Sequence, residues 1–333
     1  MIKKIALSLV SAGCLFTWGC AQLVFVRGHE GFEVPQIYKM TAYGTDEINM
    51  TQSNFHSSLP DVSPDGTTLA FASEDDSPPG ASENIYLMSV DGGERSQLTV
   101  GVFQKFFPRW GLKGYSDQIV FSQIRSNFTF RLYLVSTDGG MRMLTDPAQD
   151  VSDVGGDIYF SQREETYRVV FVRKYPYPKP GSDLFSIRVD GTGIEQITNT
   201  PEVDEDQPVV SLDGRLLAYR AMHTVATADN IRILTVDNWQ PVREIKLASP
   251  AQINIRGIGW SRSGNRLYVS IEASDVLGVA YTEERAEIFS VKVDGTGQKR
   301  LTNNKTVDYW PNGIPCHPLW RPLCSIIDWF SGQ

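Results

Sequence analysis

Histidine is scarce in this chain, and the four present, His29, His56, His223 and His317, share no metal-like spacing with one another or with cysteine, so no zinc pattern exists. His317 beside Cys316 comes nearest to a ligand pair, and the prolines around it read better as a packed closing strand. A surplus of positive charge is also missing: 31 Lys+Arg stand against 39 Asp+Glu, a formal charge of -8. Phosphate binding leaves a basic footprint, so nucleic acid is not an expected partner. No apolar run reaches the ~18 to 20 residues that span a bilayer. A Gly-rich phosphate loop, an EF-hand loop and helical heptads are absent too. Gly259-Trp260-Ser261-Arg262-Ser263-Gly264 comes close to a Gly-x-Ser-x-Gly elbow, but that elbow needs a strand-to-helix turn, and this one falls between strands. From these absences the expectation is a chain that is not an enzyme, with no catalytic residue and no metal ligand.

What is present begins with residues 1–20, where Lys3 and Lys4 precede an apolar run from Ile5 to Val10 that continues through small residues to Cys20. This is the pattern of a secretory signal. Thr17-Trp18-Gly19-Cys20 resembles a bacterial lipoprotein cleavage box, which implies a lipid on Cys20; Ser11-Ala12-Gly13-Cys14 is a second candidate. Residues 21–35 read as a short linker. Cys316 and Cys324, eight apart, suit a disulfide in an oxidising compartment, with two free thiols as the alternative. The localisation expected is periplasmic or associated with the outer membrane, with membrane contact only through the lipid.

From 36 to the end the chain repeats itself at a period of roughly 50 residues. The clearest unit reads Leu59-Pro60-Asp61-Val62-Ser63-Pro64-Asp65-Gly66, then Thr67-Thr68-Leu69-Ala70-Phe71, then Ile85-Tyr86-Leu87-Met88-Ser89-Val90-Asp91-Gly92-Gly93, and closes with Gln97-Leu98-Thr99. The first turn recurs at Gly111–Gly114, Ser211–Gly214 and Ser261–Gly264, and the second at Asp138-Gly139-Gly140, Asp190-Gly191 and Asp294-Gly295. The close recurs as Leu144-Thr145, Ile197-Thr198 and Leu301-Thr302. Asp-Gly suits a tight hairpin because glycine takes positive φ without steric cost, so each unit reads as an antiparallel meander. Such meanders leave both faces wet unless several pack around an axis as propeller blades. Five units span 59–99, 107–145, 150–198, 205–247 and 255–302. The third and fourth are degenerate, at Val154-Gly155-Gly156-Asp157 and Asp237-Asn238-Trp239.

Two fragments remain. Gln36–Met40 with Asn49–Thr51 supplies the second half of a unit, and Trp310, Trp320 and Cys324–Phe330 supply two strands of the first half. The expected fold is therefore all-β, a six-bladed β-propeller over 36–333 whose sixth blade is closed by N- and C-terminal strands, leaving no free sheet edge.

The spacing of Ser-Pro-Asp-Gly, Asp-Gly-Gly and Leu-Thr resembles the propeller repeats of the TolB family, periplasmic proteins of the Tol-Pal envelope system, and of related propellers in prolyl oligopeptidase-like enzymes. The α/β domain that precedes the TolB propeller has no counterpart in 21–35, and no hydrolase domain follows Gln333, so a propeller alone is expected. The resemblance implies a scaffold or adaptor that binds envelope proteins, as a monomer or a component of a complex. The alternative is a cation-dependent enzyme or carbohydrate binder at an acidic channel mouth.

In a propeller the strand 1–2 and 3–4 turns share one face, while the strand 2–3 and blade-to-blade segments share the other. The tight hairpins mark the first face, and longer, unequal loops mark the second, where binding usually sits. That second face collects acid at Glu74, Asp75, Asp76, Asp204, Glu205, Asp206, Glu283 and Glu284, a field that would draw basic peptides or a divalent cation such as calcium. Tyr175 and Tyr177, in the stiff Tyr175-Pro176-Tyr177-Pro178-Lys179-Pro180 loop, add aromatic surface. These ten are the expected partner-binding residues. The inner-strand regions near Val62, Trp110, Val209 and Trp260 read as apolar or aromatic.

Overall fold

The computed structural model describes residues 22–28, 34–74, 82–176, 181–223, 229–247, 253–272, 286–304 and 306–315. Every regular element among them is a strand. In chain order these are β1 (Gln22–Gly28), β2 (Gln36–Thr41), β3 (Ile48–Asn49), β4 (Ser57–Val62), β5 (Thr68–Ser73), β6 (Asn84–Ser89), β7 (Arg95–Gln97), β8 (Lys105–Trp110), β9 (Gln118–Ile124), β10 (Phe130–Ser136), β11 (Met141–Met143) and β12 (Ser152–Ser161). They continue as β13 (Thr166–Tyr175), β14 (Gly181–Arg188), β15 (Glu195–Gln196), β16 (Val203–Val210), β17 (Leu216–His223), β18 (Asn230–Thr235), β19 (Pro241–Ile245), β20 (Asn254–Trp260), β21 (Arg266–Glu272), β22 (Glu287–Lys292), β23 (Lys299–Arg300) and β24 (Val307–Gly313). They form six sheets of four: β4 to β7, β8 to β11, β12 to β15, β16 to β19, β20 to β23, and β24-β1-β2-β3. We number these blades 1 to 6.

The repeated letters of the sequence are the hydrogen bonds of the blade. In the first turn Ser63 Oγ donates to Asp65 (2.6 Å) and accepts from the Thr68 N–H (2.9 Å). Ser211 repeats this with Asp213 and Leu216, and Ser261 accepts from the Arg266 N–H. In the second turn the Asp190 and Asp294 carboxylates accept the N–H of Thr192 and Thr296, each at 2.8 Å. The closing threonine has its own task. Thr99, Thr145, Thr198 and Thr302 each present Oγ1 to the N–H of a third-strand residue, Ile85, Leu132, Leu184 and Ile288. The hydroxyl thereby completes the ladder where the fourth strand ends. Thr302→Val should cost about 1 to 2 kcal/mol because it orphans the buried Ile288 N–H, as read by chemical denaturation.

Apolar side chains on both faces of each sheet pack against the neighbouring blades. Val209, Ala218, Ile231 and Ile233 meet Ile255, Ile258, Leu267 and Val269 between blades 4 and 5. Tyr159, Val170 and Leu184 meet Leu217 and Tyr219 between blades 3 and 4. Equivalent clusters fill the other seams, including Leu23, Phe25 and Met40 against Tyr268, Ile288 and Leu301 where blade 6 returns to blade 5.

Blade 6 is a composite of both chain ends, but the division differs from the expected one. The N-terminal side supplies three strands and the C-terminal side one, with β24 innermost and antiparallel to β1. β1 lies in the stretch taken for a linker. Its Leu23-Val24-Phe25-Val26 core is wholly buried, and burying four apolar side chains outweighs any preference for a free tether. Arg27 locks the joint, pairing with Asp308 across the sheet and with Glu47. Trp320 and 324–330, expected as a strand, lie outside the described residues. Val154–Asp157, taken for a degenerate turn, is instead a bulge within β12, and the turn lies at 162–165.

Candidate functional site

The acidic residues chosen from sequence do not assemble into one site. Asp204, Glu205 and Asp206 lie within β16 rather than in a loop. Glu205 is fully buried, accepting hydrogen bonds from Thr198 and Thr200. Burial pushes its carboxyl up, and those hydroxyls oppose the shift. It fastens blade 3 to blade 4 and cannot meet a partner. Asp206 pairs with Arg220, Asp204 is half-buried, and Glu74 is half-buried at the end of β5. Tyr175 packs on the cluster between blades 2 and 3. Asp75, Asp76, Tyr177, Glu283, Glu284, Cys20, Cys316 and Cys324 lie outside the described residues. No group of three His, Cys, Asp or Glu able to hold a metal ion occurs among the described residues, and His56 is paired with Glu83.

A different constellation lies on the axis. Each innermost strand carries a register shift against its second strand. At five of them one residue has positive φ: Leu59 (55°), Phe107 (55°), Gly155 (63°), Gln207 (51°) and Trp310 (49°). In four the next residue is proline, Pro60, Pro108, Pro208 and Pro311. A bulged residue leaves the ladder, so proline's missing N–H costs nothing there. This x-Pro recurrence, at the same period as the turns, is the sequence signal that marks these positions.

The bulges turn their residues toward the axis at the end where the inner strands begin, the long-loop face. They line a recess of about 260 Å³ together with Val172, Lys174, Asp206, Arg220, Ile255 and Ile258. Phe107 and Trp310 meet edge to face at 6.3 Å. From Phe107 the aromatic contacts run outward along blade 2, through Phe106 at 6.4 Å to Phe130 at a further 6.0 Å. Beyond them, on the same face, stand Val102 and Phe128, each 82% exposed, with Val100 and Phe103. Among the described residues, Asp206 is the one expected binding residue that reaches this recess.

Deeper in the channel the inner strands present Asp61, Arg109, Asp157, Val209, Gly259 and Asn312 around a space of about 60 Å³. Val62, Trp110, Val209 and Trp260 line the same space, as expected, with both tryptophans largely buried; what the expectation missed is the set of charged and polar groups between them. Asp61 accepts the Trp110 N–H (2.7 Å) and Arg109 (3.1 Å), fastening blade 1 to blade 2. Asp157 accepts the N–H groups of Ile158 (2.8 Å) and Val210 (2.7 Å), fastening blade 3 to blade 4. Burial raises both carboxyls. For Asp157 the value is pushed up to about 7, against the pull of Arg109 and with help from the charge on Asp61.

No protein-family model matches the chain, and no curated protein matches it. Solved structures do. The chain is similar to TolB from Acinetobacter baumannii (TM-score 0.67, 12% identity, 89% of this chain and 67% of that one). It is similar to a chain of the nidogen/laminin complex (TM-score 0.60, 11% identity, 88% and 98%). It is also similar to an oligogalacturonate lyase in complex with manganese (TM-score 0.54, 12% identity, 85% and 74%). At these identities the likeness is one of fold, a TolB-like six-bladed propeller. The lyase corrects the expectation that the chain is not an enzyme. A propeller site is assembled from blades far apart in sequence, so missing local motifs exclude no chemistry.

Proposed function

We propose that this chain is a protein-binding propeller of the bacterial cell envelope. A partner docks on the long-loop face and seats an apolar side chain against Phe107 and Trp310 in the channel mouth. The observation that carries this reading is the run of aromatic contacts from the recess through Phe107 and Phe106 to Phe130, on the face that also exposes Val102 and Phe128. Apolar residues scattered singly over a surface need no explanation, whereas a set beside a recess that combines aromatic and aliphatic side chains with a few charged ones on a rigid frame is the usual form of an interaction site. The signal-like residues 1–20, with Cys20 as the lipidated residue, support the envelope location, and so does the likeness to TolB. The nidogen/laminin likeness supports a protein partner.

A photo-crosslinking amino acid at Phe128, in the native bacterium, is expected to trap one dominant envelope protein, while the same probe at Thr192 on the opposite face does not. Aromatic anchors at such sites are worth about 2 kcal/mol or more each, so Phe107→Ala with Trp310→Ala should reduce the Phe128 crosslink by at least about 30-fold in a protein that still melts cooperatively. Equal crosslinking at the two probe positions, or a Phe128 product indifferent to the double substitution, refutes the reading.

A further inference from the structure

The opposite face carries a second site of contrary character. A groove of about 640 Å³ is lined by Arg243, Arg262, Arg266, Lys292 and Lys299, with Asp294 the one carboxylate among its described lining residues. These cations come from two adjacent blades: Arg243 from β19 of blade 4, and from blade 5 Arg262 in its first turn, Arg266 at the start of β21, Lys292 at its second turn, and Lys299 from β23. Asp294 is occupied by Thr296 Oγ1 and N–H. Arg243, Lys292 and Lys299 are exposed. In a chain of net charge -8 such a concentration of positive charge is local. At physiological salt, charges more than about 8 Å away are screened, so the groove and not the whole chain sets the field an approaching anion meets.

Two further features belong to the same groove. Tyr43 is 55% exposed and Val242 is 44% exposed; both line it, and Lys299 lies over the Tyr43 ring at 5.9 Å. A ring and an aliphatic side chain among cations suit the boundary between headgroups and acyl chains. Gln22, the first residue of β1, also lines it, and Cys20 precedes Gln22 by two residues. Two residues span at most about 7 Å, so a lipid on Cys20 would be held within that reach of Gln22 and this groove.

We infer that this groove docks on the anionic phospholipid headgroups of the membrane in which the Cys20 lipid is anchored, so that the tight-hairpin face lies on the bilayer and the long-loop face points away from it. The cations pair with headgroup phosphates, Tyr43 and Val242 rest at the interface, and the lipid supplies the second of the two signals that stable anchoring requires. The site and its test are separate from the partner-binding reading, whose residues lie on the other face.

The test is flotation of the full mature chain carrying Cys20→Ser, which removes the lipid, with vesicles of phosphatidylcholine alone or with about a third phosphatidylglycerol. Binding is expected only with phosphatidylglycerol, falling steeply with salt. Each Lys or Arg at such a surface contributes about a factor of five, so Arg243→Glu, Lys292→Glu and Lys299→Glu together should weaken it by at least about 100-fold without lowering the melting temperature. A triple variant that floats like the parent overturns the proposal, as does parent protein that binds both vesicles equally or neither. Binding abolished by millimolar inorganic phosphate, at constant ionic strength, would assign the groove to a free phosphate ligand and likewise overturn it. So would binding to polygalacturonate in place of vesicles.

Discussion

Gly259→Ala is expected to destabilise the propeller by on the order of 4 kcal/mol, because the ring closes backbone to backbone at that residue. A Cβ on Gly259 would stand 2.0 Å from the Pro311 carbonyl oxygen and 3.0 Å from the Asn312 Cα. None of these atoms is the movable end of a side chain. Gly257 meets Trp310 N at 2.6 Å, and Gly313 meets the Trp260 carbonyl oxygen at 2.4 Å, so three glycines let β20 and β24 approach. Any Cβ there pushes β24 off β20. β24 pairs with β1 and, among the described residues, is the one strand the C-terminal side contributes to blade 6, so its displacement loosens the whole closure. Gly92→Ala is the contrasting variant: its φ is +88° and nothing lies within 4 Å, so it should cost only the 1 to 2 kcal/mol of a left-handed alanine. Thermal and chemical denaturation of both variants decide the matter. If Gly259→Ala lies within about 1 kcal/mol of the parent, the seam is not close-packed and the closure argument fails.

The fold was readable from sequence where its chemistry is local. Ser63, Asp65 and Gly66 sit within four residues and hydrogen-bond one another, so their recurrence announces a turn wherever it appears. Five blades followed from counting such turns. The closure was less readable, because Leu23 to Val26 show only an apolar run beside a signal-like segment, and their partners Tyr309 and Asn312 are almost the whole chain away. The candidate site was hardest. Phe107 and Trp310 touch although about two hundred residues separate them, and no spacing rule connects them. Charge misled for a different reason: Glu205 looks like surface acid, yet it is buried and satisfied by Thr198 and Thr200, seven and five residues before it, and acidic character alone does not tell a buried, satisfied carboxylate from an exposed one. The axial Asp61 and Asp157 stand within the repeat units, but the bulges beside them leave no mark in the spacing of the turns, so that spacing does not distinguish them from turn and strand residues.

Those two carboxylates lead to an expected dependence of stability on pH that runs against the usual acidic-residue trend. Asp157 has its folded value raised from 3.8 to about 7, first by burial and further by the negative Asp61. An unfolded Asp157 ionises near its ordinary value of about 4. Below that both states hold the proton, and the contribution to stability is fully present. As pH rises through 5 to 7 the unfolded chain has lost its proton while the folded one retains it or bears a buried charge, so stability falls, by up to about 1.4 kcal/mol per pH unit from this group. Asp61, Glu205 and Asp229, also raised by burial, act in the same direction. Surface carboxylates such as Asp138, Asp190 and Asp294 sit below their ordinary values, held there by side-chain and backbone donors, and their opposite contribution is confined to pH near 4 and below. Denaturant titrations between pH 5 and 7.5 should therefore show the parent losing stability with rising pH. Asp157→Asn should flatten that slope by at least half. The substitution should be mildly destabilising at pH 5, where its amide Nδ2 faces the Ile158 or Val210 N–H that a carboxylate oxygen accepts, and stabilising at pH 7.5, where no buried charge remains at that position. A parent whose stability is flat or rises across this window, or a variant that keeps the full slope, would show that the channel carboxylates are solvated and that the axis is not sealed between the two faces.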